Sequence, residues 1–399
     1  MSVAVPESAA ALRASRAPRH ALDAVVHPNP YSYYASLAAR RPFDFDASLG
    51  MWVAAGPDAL AQVLRHPACG VRPSGAVVPP ALAHGPAGEW FAALVRMNDG
   101  AAHAAMKPWL KARLAALQAG RDSLAMLDEA SQAACADAYL VCGNTPAARL
   151  DDFVFRQPVY ALAAWLGVPS TQWTEVYEDV HALVAAMAEA GKPAPVEDVL
   201  TRAHHAATAL RVRATRWLNA DAATGTWLRD TARSAARDER IDFGALIANI
   251  VGLFTQTHDA CAGLVANSVR RFAQSLCAPP PLVERSVAIR LVSDVIRFDP
   301  PVQNTRRFLH ASAVIYDRKL AKGDTILAVL ASAPSGTSAD GIAWTFGLGA
   351  HACPGRSPAT TLAIAGVHAI LSSDADLASV AQSTAYHPLA NARIARFAD

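Results

Sequence analysis

One stretch near the C-terminal end restricts what the chain can fold into more than any other: Phe346-Gly347-Leu348-Gly349-Ala350-His351-Ala352-Cys353-Pro354-Gly355-Arg356. It reads as a turn that presents a single sulfur. Glycine at 347, 349 and 355 permits positive φ and lets another group approach the backbone closely. The run from Pro358 to Ile370 is alanine-rich and apolar and predicts a helix. Cys353 therefore stands just before a helix start. Free N–H groups and the positive end of the helix dipole there are expected to lower its pKa and favour the thiolate. A thiolate held on a glycine turn suits a soft metal or a haem iron.

The rest of the chain can enclose such a group. Hydrophobic residues at 52% and charged residues at 18% allow a large core and exclude disorder of the whole. A net charge of +2 is too balanced to argue for nucleic acid, so any functional basic surface must be local. The cysteines at 69, 135, 142, 261, 277 and 353 form no CxxC pair, which points to a reducing compartment rather than a disulfide framework. Residues 1–20 mix Pro, Ser, Glu and Arg without a signal-peptide core and read as a flexible arm, leaving 21–399 as one large domain. Nowhere do ~18 apolar residues run uninterrupted, so no membrane span is expected and the location expected is cytoplasmic.

Periodicity orders the elements. A helix is predicted around Tyr33–Arg40, a strand at Met51–Ala55, a helix at Pro57–Arg65 and a loop over 67–85. From Glu89 to about Ser275 the pattern is almost wholly helical, broken at Gly143–Pro146, Gly167–Pro169 and Gly191–Pro195. Asp242–Leu276 is the longest candidate, stopped by Ala278-Pro279-Pro280-Pro281. Leu282–Phe298 is the next helix. Residues 302–332 turn to β-character, with turns at Asp317-Arg318 and Lys322-Gly323-Asp324. Helices, a small sheet, the cysteine turn and a last helix follow one another in that order.

The cysteine stretch resembles the signature of the cytochrome P450 family, the haem-thiolate monooxygenases, in their soluble bacterial form. Phe346, Gly347, Gly349, His351, Cys353 and Gly355 carry the likeness, which extends over about residues 25 to 399. It implies a mainly α fold with small β-sheets in a single domain, with Cys353 as axial ligand of haem b (iron protoporphyrin IX). It also implies O2 as oxidant, a ferredoxin-type electron donor and a small or medium organic substrate, with a place in secondary metabolism. Two haem propionates need cations, and the matching positions are His351, Arg307, His103 and Lys107. His103 and Lys107 share a helix face at i,i+4, although Lys stands where Arg is usual and Pro108 disfavours helix at Lys107. The family's Glu-x-x-Arg becomes Asp294-Val295-Ile296-Arg297, read as a fold-supporting pair, and the segment Ala331–Trp344 is shorter than usual.

The long helix carries Leu253-Phe254-Thr255-Gln256-Thr257-His258-Asp259-Ala260-Cys261-Ala262-Gly263. By resemblance it passes over the haem, with an acid–alcohol pair that relays protons. Asp259 fills the acid position, but Ala260 stands where the alcohol belongs. The donor must then be Thr257, a water held by Gln256, or the substrate. Gln256, Thr257, Ala260, Val302, Asn304 and Leu389 are candidates for the substrate pocket. Cys261 reads as a packed residue, and His258, His204-His205 and His387 as surface or core histidines. A basic face with Lys111, Arg113 and Arg356 suits an acidic redox partner. Ala260 also opens a second reading: peroxide-driven or substrate-assisted chemistry, oxidative coupling, nitration or dehydration. A non-catalytic haem sensor is a third. A haem-free cysteine-nucleophile enzyme is a fourth, for which His351 is poorly placed as base.

Overall fold

The structure is a computed structural model that describes residues 16–119, 123–219, 226–275, 283–333 and 341–398. Pro30 opens α1 (Tyr31–Arg40), and a hairpin of β1 (Phe43–Asp46) and β2 (Met51–Ala55) leads into α2 (Pro57–Arg65). The expected loop over 67–85 holds only the two-residue strand β3 (Cys69–Gly70) and one 3-10 turn, Pro80–Leu82. Helices then follow in sequence: α3 (Pro86–Ala93), α4 (Gly100–Gln118), α5 (Ser123–Cys142), α6 (Pro146–Leu166), α7 (Trp173–Glu189), α8 (Glu197–Asn219) and α9 (Thr226–Ala235). The three predicted breaks fall between these helices. Gly167, for example, takes the left-handed conformation (φ 82°) that closes α6.

The longest helix, α10 (Phe243–Ser275), runs 33 residues and is buried along most of its length among α6, α7, α8 and the C-terminal helices. A run of small residues makes this possible. A Cβ on Gly263 would lie 2.3 Å from Pro301, so α10 touches that segment where no larger residue fits. After it come α11 (Arg285–Phe298), β4 (Thr305–Leu309), the hairpin β5 (Ala313–Ile315) and β6 (Arg318–Leu320), β7 (Thr325–Val329), α12 (Arg356–Leu371) and α13 (Leu377–Ala381). The five-stranded sheet has the order β1-β2-β7-β4-β3, with β2 and β7 parallel and the other neighbours antiparallel. One apolar core fills the helical part, and two smaller ones pack on the two faces of the sheet.

Three expectations need correction. Pro108 does not end the helix at Lys107: α4 continues to Gln118, its proline carried inside the helix. The β5–β6 turn sits one residue earlier than expected, on Tyr316 and Asp317, both with positive φ. Asp294 and Arg297 do not pair. Asp294 lies 3.8 Å from Arg271, both half-exposed, and Arg297 stacks on Phe298. The fastening role belongs instead to Arg393, 2% exposed, which donates to Asp299 (2.8 Å) and to the carbonyls of Val25, His27 and Pro28. Tyr31 also donates to Asp299, and Tyr386 lies under the guanidinium. Residues 1–15 of the expected arm, the proline run at 278–281 and positions 334–340 of the shortened segment lie outside the described residues. Of the rest of the arm, Pro18 is buried and the Arg16 carbonyl bonds His27.

Candidate functional site

The cysteine turn is built by its own backbone. Phe346 closes a 3-10 turn, Gly347 and Gly349 both take φ 70°, and the Cys353 N–H donates to the Phe346 carbonyl at 2.7 Å. Gly349 presses against α2: a Cβ there would meet the Leu64 carbonyl at 3.0 Å. Gly355 has an ordinary φ of −95° and serves as N-cap of α12.

The sulfur of Cys353 is accessible, yet protein surrounds it closely enough that burial pushes the thiol above its ordinary pKa. A side chain that water reaches but protein walls in lines an enclosed space. The expected lowering is therefore overturned for the thiol on its own. The Gly355 N–H and the charges of Lys107, Arg96 and Arg356 act in the expected direction, but desolvation outweighs them. Proton loss would come with coordination, where a metal displaces the thiol hydrogen.

The proposed clamp residues converge from three separate parts of the chain. His103 and Lys107 come from α4, Arg307 from β4 and His351 from the cysteine turn. The rings of His103 and His351 lie 4.2 Å apart. His351 Nε2 is bonded to Asp99 at 2.8 Å, and Asp99 also accepts from the Val71 N–H. Burial opposes the Asp99 charge, but these hydrogen bonds bring its carboxyl below the usual range.

The other three basic side chains form no ion pair among the described residues, although the Asp99 charge reaches His103 and Arg307. His103 is buried and its Nε2 has no partner. Burial, then the charges of His351 and Lys107, bring its pKa down to about 4. Lys107 is lowered by burial and by Arg307 and Lys111. Arg307, 4% exposed, is lowered by burial, against the charges of Cys69 and Asp99, and among the described residues donates to Thr305 Oγ1 and the Arg306 carbonyl. Buried cations that repel one another are costly unless a negative group joins them. The two carboxylates of a haem meet that need. A lone soft sulfur nearby suits an iron whose other ligands come from a porphyrin, and among the described residues no group of three His, Cys, Asp or Glu could hold a bare metal ion. The residues present fit haem.

Sequence reasoning missed Arg96. Its Nε is buried without a partner, burial lowers its pKa, and it feels both Asp259 and Cys353. It therefore joins the long helix to the sulfur side of the same enclosed space. It lies only seven positions before His103, but nothing in its local pattern marks it as inward-facing.

On α10, the Gln256 side-chain N–H donates to the Gly252 carbonyl at 2.7 Å. The Thr257 hydroxyl has no partner among the described residues, and Ala260 is half-buried. Asp259 accepts from His258 at 2.7 Å, so His258, read as a surface or core histidine, is core and bonded. Cys261 is packed, its sulfur 3.7 Å from the Ala359 carbonyl. Asn304 donates to the Ala390 carbonyl at 2.9 Å, which fastens the loop carrying Leu389. The Val302 carbonyl accepts from Thr345.

No protein-family model matches the chain, and no curated protein matches it in sequence. Its likeness is to solved structures of cytochromes P450, and the chain has the cytochrome P450 fold. CalO2 superposes with a TM-score of 0.68 at 18% identity, over 92% of this chain and 94% of that one. P450 RauA, complexed with a biosynthetic intermediate of aurachin RE, gives 0.67 at 19% over 92% and 94%. Epothilone B-bound P450epoK gives 0.68 at 17% over 86% and 89%. No helix among the described residues is long and apolar enough to cross a membrane.

Proposed function

We propose that the protein is a haem-thiolate monooxygenase that inserts oxygen from O2 into a small or medium organic metabolite. One observation carries this reading. A cluster of basic side chains with no ion-pair partner among the described residues, the buried His103 and Arg307 and the half-buried Lys107, converges beside an accessible, walled-in thiol within a cytochrome P450 fold. Haem b would be held by Cys353 at the iron and by His103, Lys107 and Arg307 at its propionates, while Asp99 orients His351. When bound, haem supplies one-electron and oxygen chemistry.

The chain's own residues do the rest. The Gly355 N–H donates to the Cys353 sulfur and tempers its charge. Phe346 holds the turn through its carbonyl. With one Gln256 N–H spent on Gly252, its second N–H, its carbonyl oxygen and the Thr257 hydroxyl are left to orient a water or a substrate group. Asp259 is the proton-carrying acid. Asn304 positions Leu389 and its loop beside the pocket.

RauA and P450epoK are complexed with a biosynthetic intermediate and with epothilone B. We accordingly infer an apolar or amphipathic product of secondary metabolism as substrate. Lys111 and Arg356 are exposed and Arg113 is half-buried. They give a basic face for an acidic ferredoxin-type donor in the cytoplasm.

Ala260 favours a second reading, in which peroxide or a substrate group replaces the usual proton delivery. Product yield with reductant and ferredoxin, set against yield with peroxide alone, separates the two. The primary test is spectroscopic. Haem-supplied protein, reduced under carbon monoxide, is expected to give the spectrum of thiolate-ligated haem, and Cys353→His is expected to lose it. A colourless protein, or a spectrum indifferent to Cys353, overturns the proposal.

A further inference from the structure

Three side chains from two helices make one directed hydrogen-bond chain, of which the site above uses only Asp259. His181 is exposed on α7, and its Nδ1 lies 3.2 Å from Nε2 of His258 on α10. His258 is 2% exposed, and its Nδ1 lies 2.7 Å from Asp259 Oδ1. The chain has a fixed sense. An ionised carboxylate only accepts, so His258 carries its hydrogen on Nδ1 and offers Nε2 as acceptor. His181 must then donate from Nδ1, which leaves its own Nε2 open to receive a proton.

The surroundings hold this arrangement. Phe155 and Tyr177 stack on the His258 ring at 5.1 and 6.2 Å between centroids. Burial, then the neighbouring His258, lowers the His181 pKa and keeps that ring neutral at rest. The charged groups around the chain are accounted for. On α6, Asp152 and Arg156 pair with each other at 2.8 Å. The Arg96 charge also acts on Asp259. His387 touches the far edge of Phe155 and lies 3.8 Å from Asp151, outside the chain.

We propose that His181, His258 and Asp259 conduct protons from the protein's exterior to the sulfur-facing pocket, taking the place of the hydroxyl missing at Ala260. The proposal rests on the haem-thiolate reading. A proton arriving at His181 Nε2 releases the Nδ1 hydrogen to His258 Nε2. His258 passes its Nδ1 hydrogen to Asp259, and the neutral carboxyl donates into the pocket. One proton enters, one leaves and no electrons move. Flipping of both imidazoles restores the starting tautomers. Asp259 is the terminal donor, and the two histidines supply it.

The test uses the haem-loaded protein with thioanisole as probe and compares sulfoxide formed with a surrogate ferredoxin system against sulfoxide formed with peroxide. The expected result for His258→Phe, and separately for the exposed His181→Gln, is a fall of about 10²-fold in the ratio of reductant-driven to peroxide-driven product. The solvent deuterium isotope effect should change with it, while the carbon monoxide spectrum stays thiolate-type. Nitrogen-15 NMR should find both His181 and His258 protonated on Nδ1. An unchanged ratio in both variants, or a His258 hydrogen on Nε2, overturns the relay. Loss of the thiolate spectrum in the unaltered protein overturns the haem-thiolate reading instead.

Discussion

Replacing His103 by Phe separates the two states of the site with opposite signs. In the haem-free protein, His103 Nε2 is a buried polar atom without a partner, and the ring is neutral at pH 7 because burial holds its pKa near 4. An orphan of this kind costs about 1–3 kcal/mol. Phe keeps the ring that faces His351 at 4.2 Å and removes the orphan, so the haem-free protein is expected to gain about 1 kcal/mol. With haem present the same nitrogen would donate to a propionate. A hydrogen bond to a charged group is worth about 1.5–3 kcal/mol. Its loss weakens haem binding roughly 10- to 150-fold. Urea unfolding of the haem-free protein measures the first quantity and a haem titration followed by visible absorption the second. If stability and haem affinity fall together, His103 is a packing residue and the propionate assignment is wrong.

Proton linkage gives a companion expectation. A propionate raises the His103 pKa above its haem-free value of about 4, so binding takes up a proton between the two values. Affinity is full below that window and declines as pH rises through the haem-bound pKa; haem titrations across pH should show the decline in the parent and a flatter profile in His103→Phe. Asp299→Asn should cost about 3–5 kcal/mol in denaturant unfolding, because it strands the Arg393 guanidinium, whereas Asp294→Ala should cost less than about 1 kcal/mol. Gly263→Ala should cost about 1–3 kcal/mol in the same assay, since its Cβ would sit 2.3 Å from Pro301.

The elements that local chemistry dictates were readable along the chain. Pro57 to Arg65 forms a helix at those bounds, and glycines 347 and 349 take the left-handed φ that the turn requires. The cysteine loop was legible because its residue types are fixed by geometry. What failed was pairing. Asp294 and Arg297 have the right spacing to meet, yet spacing cannot show that Asp294 points to Arg271 while a buried arginine some 100 positions on does the fastening. Cys353 failed differently. The helix start and the Gly355 N–H do favour its thiolate, but how deeply the turn would be walled in is a tertiary quantity, and desolvation decided the sign.

His258 shows why the distal side was the hardest to read. In sequence it stands beside Asp259, and neighbours on a helix do not ordinarily face each other. Its ring bonds the adjacent carboxylate only because α6 and α7 trap it, with Phe155 and Tyr177 stacked against it and His181 meeting its other nitrogen. No periodicity links position 181 to 258. The residue that looks lost at 260 is a hydroxyl on α10, and the chain that compensates for it reaches the exterior only through His181 on α7. An acid at 259 wired to two imidazoles still has a route for protons without an alcohol beside it, which sets the relay against the peroxide reading that Ala260 favours. If the relay operates, Ala260→Thr should change the reductant-driven yield little while His181 and His258 are intact. The same substitution made in His258→Phe should recover part of what that variant loses.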